Sequence, residues 1–282
     1  MAGPTTTTEV AQLIPVIKGM VQAAAEKQRI FRNLGILEIP FAGPGSNLDL
    51  MVLGAPTAAA YTEGNARVFY NNTETKVTIT PIEIDVAMSF TDKARKRSQW
   101  DLVALYGPLL ARAVAQKIDA DCAAEYQNFT GTTVDQGGTT PSWAKMIQAA
   151  GNVKSAAGDS LSFIRAALHV SAWDDLLVET ANGSLATSAA VRGSNGAAVS
   201  GVIDTVVGIR MAFSTVIISV GGTPKYQNML FNGRTIALGF KSEFEADAWD
   251  SRDNKAFRIA AGADYDAATY FPLEGVVWTV TV

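Results

Sequence analysis

The residues that could do chemistry in this sequence are few. His169 is the only histidine and Cys122 the only cysteine. A zinc site built from imidazoles or thiolates needs several such ligands, so neither kind is available, and no disulfide can close within the chain. His169 ends the apolar run "FIRAALHV" and reads as a structural histidine. Asp247, Asp250 and Asp253 recur every third residue and could attract a cation. Their spacing departs from that of an EF-hand loop and no glycine marks the turn, so a solvated loop is expected there. No Walker A sequence and no G-x-G-x-x-G run occurs. The basic run "KARKR", residues 93–97, is the one cluster of cations, without interleaved aromatics. The chain carries 27 acidic against 23 basic side chains, a net charge of −4. Tight binding along a phosphate backbone needs a surplus of cations, so gripping nucleic acid is not expected.

Residues 158–161 read "GDSL" and are similar to the nucleophile motif of the GDSL esterases and lipases. That family also uses an Asp-x-x-His pair near its C-terminus. Here the sole histidine lies nine residues after Ser160, and Ala166 stands three before it. Without a base Ser160 has no activation, so a turn following a helix is the expected reading. No catalytic residue, cofactor or metal is expected, and the chain is not read as an enzyme.

The elements that would position any site come next. Hydrophobic residues make up 48% of the 282 and charged residues only 18%, below the usual quarter, which points to a surface either unusually apolar or partly covered by partners. Residues 6–34 carry an apolar stripe at helical spacing, with Thr6 and Glu9 as a capping box and Pro15 as a kink. Residues 47–53 and 76–80 alternate as strands, joined by 54–75, which include "GAPTAAAYTEGNAR". A connection of that length with so little apolar bulk has no core of its own and must pack on something else. Ile82, Ile84, Val86, Met88 and Phe90 alternate with polar or small residues, as in a strand with one buried face. Ser98 and Asp101 cap a long helix expected to reach residue 129. Leu110, Val114, Ile118, Cys122 and Tyr126 repeat every fourth residue along it, with Arg112, Gln116 and Asp119 expected to face elsewhere. A helix near 143–151, a strand at 163–170 and a short helix from Ser171 follow. Residues 181–201 are rich in Gly, Ser and Ala and read as a loop. Strands are expected near 202–220, 227–231, 235–240, 256–261 and 276–282. The N-terminus shows no basic-then-apolar signal pattern, the single cysteine fits a reducing compartment, and no segment reads as a membrane span.

In order, these elements give an α+β fold, and that order resembles a major capsid protein of a tailed bacteriophage, of the Hong Kong 97 type. The similarity runs almost end to end and includes the closing pattern "NMLFNGRTIALGF…FRIAAGADYDAATYFPLEGVVWTV". The resemblance implies an N-terminal arm (1–35), an extended loop (36–81), a peripheral domain built on the spine helix (82–140 and 255–282) and an axial domain (141–254). It also implies that arm and loop lie across neighbouring copies, in pentamers and hexamers that close an icosahedral shell around double-stranded DNA. Candidate intersubunit contacts are Glu63, Arg67 and Glu74 of the loop and Lys93, Arg95 and Arg97 of the basic run. Residues 46–75 contain no lysine, so the loop crosslink of some relatives is not expected. The arm is too short to hold a removable scaffolding region, so a separate scaffolding protein is implied, with a portal and, as an option, a decoration protein. The expected location is the virion, with assembly in the host cytoplasm. Rival readings are an encapsulin enclosing an enzyme cargo, a tail or adhesion subunit, and a hydrolase using Ser160.

Overall fold

A computed structural model describes residues 29–41, 45–53, 74–91, 93–94, 102–137, 140–158, 164–172, 175–176, 202–206, 208–217, 219–220, 225–251 and 255–281. Helix α1 (Ile30–Leu34) is followed by strands β1 (Leu37–Pro40), β2 (Leu48–Leu53), β3 (Glu74–Ile79) and β4 (Ile82–Thr91). The long helix α2 (Leu102–Ala124) runs on into a 3-10 turn at Glu125–Asn128. Its 23 residues span roughly 35 Å. The four-residue repeat is its buried seam: Leu110, Val114, Ile118 and Cys122 are all at most 2% exposed. Ser98 and Asp101, the expected cap, lie outside the described residues.

Seam residues of α2 pack on a four-stranded sheet, in the order β1, β11 (Ile236–Ser251), β12 (Ala256–Thr269), β4. Strand β4 alternates from Ile84 onward, with Ile84, Val86, Met88 and Phe90 half-buried toward the core, whereas Ile82, expected on the same face, is 65% exposed. Tyr265 of β12 donates to Asp121 of α2 at 2.6 Å.

The second sheet runs β5 (Val134–Asp135), β13 (Gly275–Thr281), β10 (Lys225–Asn232), β6 (Ile164–His169), β8 (Ile209–Ser214), β7 (Val202–Val206), with β9 (Ser219–Val220) also on β10. Helix α3 (Trp143–Ala157) covers one face, burying Trp143, Met146 and Val153 against Leu168, Leu230 and Trp278. It starts at Ser142, whose hydroxyl accepts the Lys145 N–H, and runs six residues beyond the expected 151. The other face, through Ala167, Met229, Phe231 and Val277, joins the core beneath α1 and α2.

These pairings run across the expected division of the chain. Residues 236–251, placed by the sequence in the axial segment 141–254, pair with β12 from Ile236↔Thr269 to Ser251↔Ala256. Residues 275–281, placed with the spine helix, pair instead with β10. The physical reason is apolarity on both faces of β13. Val276, Trp278 and Val280 meet α3 while Val277 meets the opposite core, and only an inner strand buries both sides. The loop expected around Asp247 and Asp250 is also strand. Phe244, Ala246 and Ala248 point into the core between exposed Glu245, Asp247 and Trp249. Register shifts between Phe240 and Glu245 had hidden that alternation. Asp253 lies outside the described residues, and no metal-holding cluster occurs among the described ones.

His169 closes β6. Its ring stacks on Tyr226 with centroids 3.5 Å apart, its Nδ1 lies 2.7 Å from Ser171 Oγ, and burial lowers its pKa. Ser160 lies outside the described residues; Gly158 closes α3 with φ of +64°.

Candidate functional site

Two places in the fold emit the segments that the sequence assigns to intersubunit contact. The first is the root of the N-terminal arm. Arg29 is fully buried, its guanidinium 3.0 Å from Glu38 and 3.5 Å from Glu243, and it lies 4.7 Å over the Phe240 ring. Arg32 pairs with the same two carboxylates. Asp119, expected to face away from the core, is only 2% exposed. Its carboxylate accepts the backbone N–H of Ile30 at 2.9 Å and of Phe31 at 3.3 Å. The first turn of any helix leaves such N–H groups unpaired, so Asp119 caps α1 from another element. Burial pushes its carboxyl up to about 6, against the opposing pull of those two donors and of Arg29. A signal for this was present in the sequence. Ala111, Ala115 and Asp119 form a second buried column at four-residue spacing, beside the seam.

Gly35 ends α1 in the left-handed region, with φ of +83°. The Leu34 carbonyl accepts from Arg165 Nε of β6 at 2.7 Å. The same guanidinium packs on Gly233, where a Cβ would stand only 2.3 Å from it. Gly233 lies where the chain passes from β10 in one sheet to β11 in the other, and the return passage, Tyr270–Glu274, runs alongside. Arg234 forks onto the buried Glu274 carboxylate, which also accepts from Asn232 at 2.9 Å. Arm root and both sheet-to-sheet passages are thus held together by buried and half-buried polar contacts. None of these pairs is adjacent in sequence.

The second place is the root of the loop. Strands β2 and β3 form a separate antiparallel ladder, from Leu48↔Ile79 to Leu53↔Glu74. Leu48, Leu50, Val52, Val77 and Ile79 share one face; Asp49, Met51, Leu53, Glu74, Lys76 and Thr78 share the other. Met51 and Leu53 are 60% and 61% exposed. Asp49 accepts from Lys76 at 2.7 Å and from Thr78 at 2.9 Å, contacts that lower its pKa. Three contacts fasten the ladder. Ile79 fits over Gly239, where a Cβ would lie 2.9 Å from Ile79 Cγ2. Thr80 N–H donates to Asp266 at 2.8 Å, and the Tyr270 hydroxyl to the Met51 carbonyl at 2.8 Å.

No protein-family model matches the sequence, and no curated protein matches it. Solved structures match over nearly the whole chain. The capsid of Ralstonia phage GP4 superposes with a TM-score of 0.66 at 12% identity, covering 88% of this chain and 87% of that one. The Mycobacterium phage Che8 structure gives 0.64 at 19% identity, covering 89% and 91%. A virus-like particle from Pyrococcus furiosus gives 0.60 at 8% identity, covering 95% and 99%. The fold is that of phage capsid subunits, of the Hong Kong 97 type. The resemblance read from the sequence assigns α2 as the spine helix, β2 and β3 as the base of the extended loop, and Arg29 to the foot of the arm.

Of the residues expected to touch neighbours, Glu74 is exposed at the loop end of β3 and Lys93 is exposed just past β4. Glu63, Arg67, Arg95 and Arg97 lie outside the described residues, as do residues 1–28, 54–73 and 177–201.

Proposed function

We propose that this chain is a major capsid protein, which assembles from many copies into an icosahedral shell enclosing phage double-stranded DNA. The observation that carries the reading is fold agreement over about nine-tenths of both chains with phage capsid structures. The loop root supports it. A two-stranded ladder with an exposed Met51–Leu53 face is marginal by itself and gains stability once a neighbour covers it. In this reading residues 1–28 and 54–73 lie on adjacent copies in pentamers and hexamers. An acidic chain suits a wall that must enclose DNA without gripping it. A portal and a separate scaffolding protein are the partners such a shell needs, and its location is the virion after assembly in the host cytoplasm. Among the described residues no helix is long and apolar enough to cross a membrane.

The test is electron microscopy of the expressed chain, with and without a scaffolding protein from the same source. Closed shells of uniform diameter are expected, with nucleic acid inside particles recovered from infection. A chain that stays monomeric, polymerises only into tubes, or encloses a protein cargo instead of DNA would overturn the reading.

A further inference from the structure

The outer face of the four-stranded sheet, opposite α2, carries a shallow trough of about 440 Å³. Glu83, Asp85, Glu245, Asp247 and Asp264 line it, and Lys241 is the only cation among its lining residues. Ala260 and Gly262 form part of the floor and add no bulk, which makes it concave. The sheet register sets Glu83 directly opposite Asp264, and like charges so placed destabilise a sheet. Asp264 Oδ1 is buried and accepts no hydrogen bond among the described residues. Trp249, 39% exposed, walls one end and offers an aromatic face on which a guanidinium can stack.

We propose that this trough receives the basic run 93–97 of a second copy of the chain. The run holds four of the 23 cations in five residues and is the complement of the trough in charge. The start of the run lies well away from the Glu83–Asp264 end of its own trough. Thr91 pairs with Ala256 while Asp85 pairs with Gly262, so six residues of unbroken strand, about 20 Å, separate that end from the start of the run. A run beyond one end of β4 that meets a trough at the other end on the next copy is a heterologous contact. Such contacts propagate from copy to copy and close when the rotation closes. The inference therefore deepens the assembly reading and rests on it. It assigns the basic run to the outer face of a neighbour's sheet.

A labelled peptide of residues 91–99 tests the trough on the unassembled full-length subunit. It should bind at about 0.05 M salt and weaken about tenfold or more at about 0.5 M, where screening shortens the reach of each charge. Binding should fall about tenfold in the double variant Glu245→Lys, Asp247→Lys. Both positions are exposed on β11, and circular dichroism checks that the fold is kept. In the full chain, Arg95→Glu with Arg97→Glu should block assembly, and combining all four changes should restore it. Equal peptide binding to parent and trough variant overturns the proposal, as does absence of rescue. Preference of the trough for Mg²⁺, Ca²⁺ or a peptide of residues 1–28 overturns it too. A parent chain that never oligomerises would sink the assembly reading, while the peptide titration still decides the trough by itself.

Discussion

Where residues 1–28 join the described structure, the chain is fastened into the core; where residues 54–73 join it, the chain stands on a thin ladder. At the arm root a fully buried arginine, a nearly buried aspartate and two partly buried glutamates converge on a helix of five residues. At the loop root the polar face is exposed, its ion pair lies in water, and three contacts tie the ladder down. Buried ionic contacts in low dielectric are costly to break because the partner left behind stays unpaired. Exposed ladder pairs exchange readily with water. The two exits therefore differ in freedom. The chain leaves the arm root from a firmly held point, whereas at the loop root it leaves from a ladder held by fewer buried contacts.

That contrast can be broken in order of expected effect. Asp119→Ala removes the acceptor of two backbone N–H groups and the carboxylate beside Arg29. It should lower the unfolding free energy by about 3–5 kcal/mol, read from urea denaturation of the subunit. A loss below about 1 kcal/mol would mean that the arm root is not fastened.

The second test uses pH. The folded carboxyl of Asp119 is raised to about 6 from 3.8, so the folded state holds that proton after the unfolded chain has released it. Stability from this group is full below about pH 4, declines as pH rises to about 6 and is flat above. The total change is about 2–3 kcal/mol. Asp119→Asn should flatten that window; an unchanged pH profile would refute the assignment.

Gly239→Ala is the third. Its Cβ would press on Ile79 at 2.9 Å, and overpacking of this kind costs about 1–3 kcal/mol. The expected signature is faster proteolysis within residues 54–73 with the arm root still protected; loosening of both roots together would erase the distinction. The smallest effect is expected from Asp49→Ala. Its partners Lys76 and Thr78 are exposed, so the urea midpoint should not move measurably. A clear destabilisation would place the loop root in the same class as the arm root.

How much was legible follows from what each pattern encodes. The four-residue seam of α2 and the alternation of β4 report which side of a single element is buried, and both read correctly. The β2–β3 pair was readable for the same reason. The extension of β11 was obscured by its two register shifts, because the polar residues 241–243 interrupt the alternation between Phe240 and Phe244 on which the reading depends. Asp119 was misassigned because a charged residue on a helix is ordinarily solvated, although its column with Ala111 and Ala115 pointed inward.

Sequence alone determined the long helix, the strand β4 and the β2–β3 pair, since periodicity acts over a few residues. It also excluded histidine-rich and thiolate chemistry, since composition sets the ligand supply. Only the tertiary structure decided which strand joins which sheet, and that Asp119 caps a helix 88 residues away. It alone brought five carboxylates from three strands to one face of the sheet. These depend on contacts between segments distant in the chain. Such contacts become favourable only once burial has removed water from both partners, and no local pattern records which partners those are.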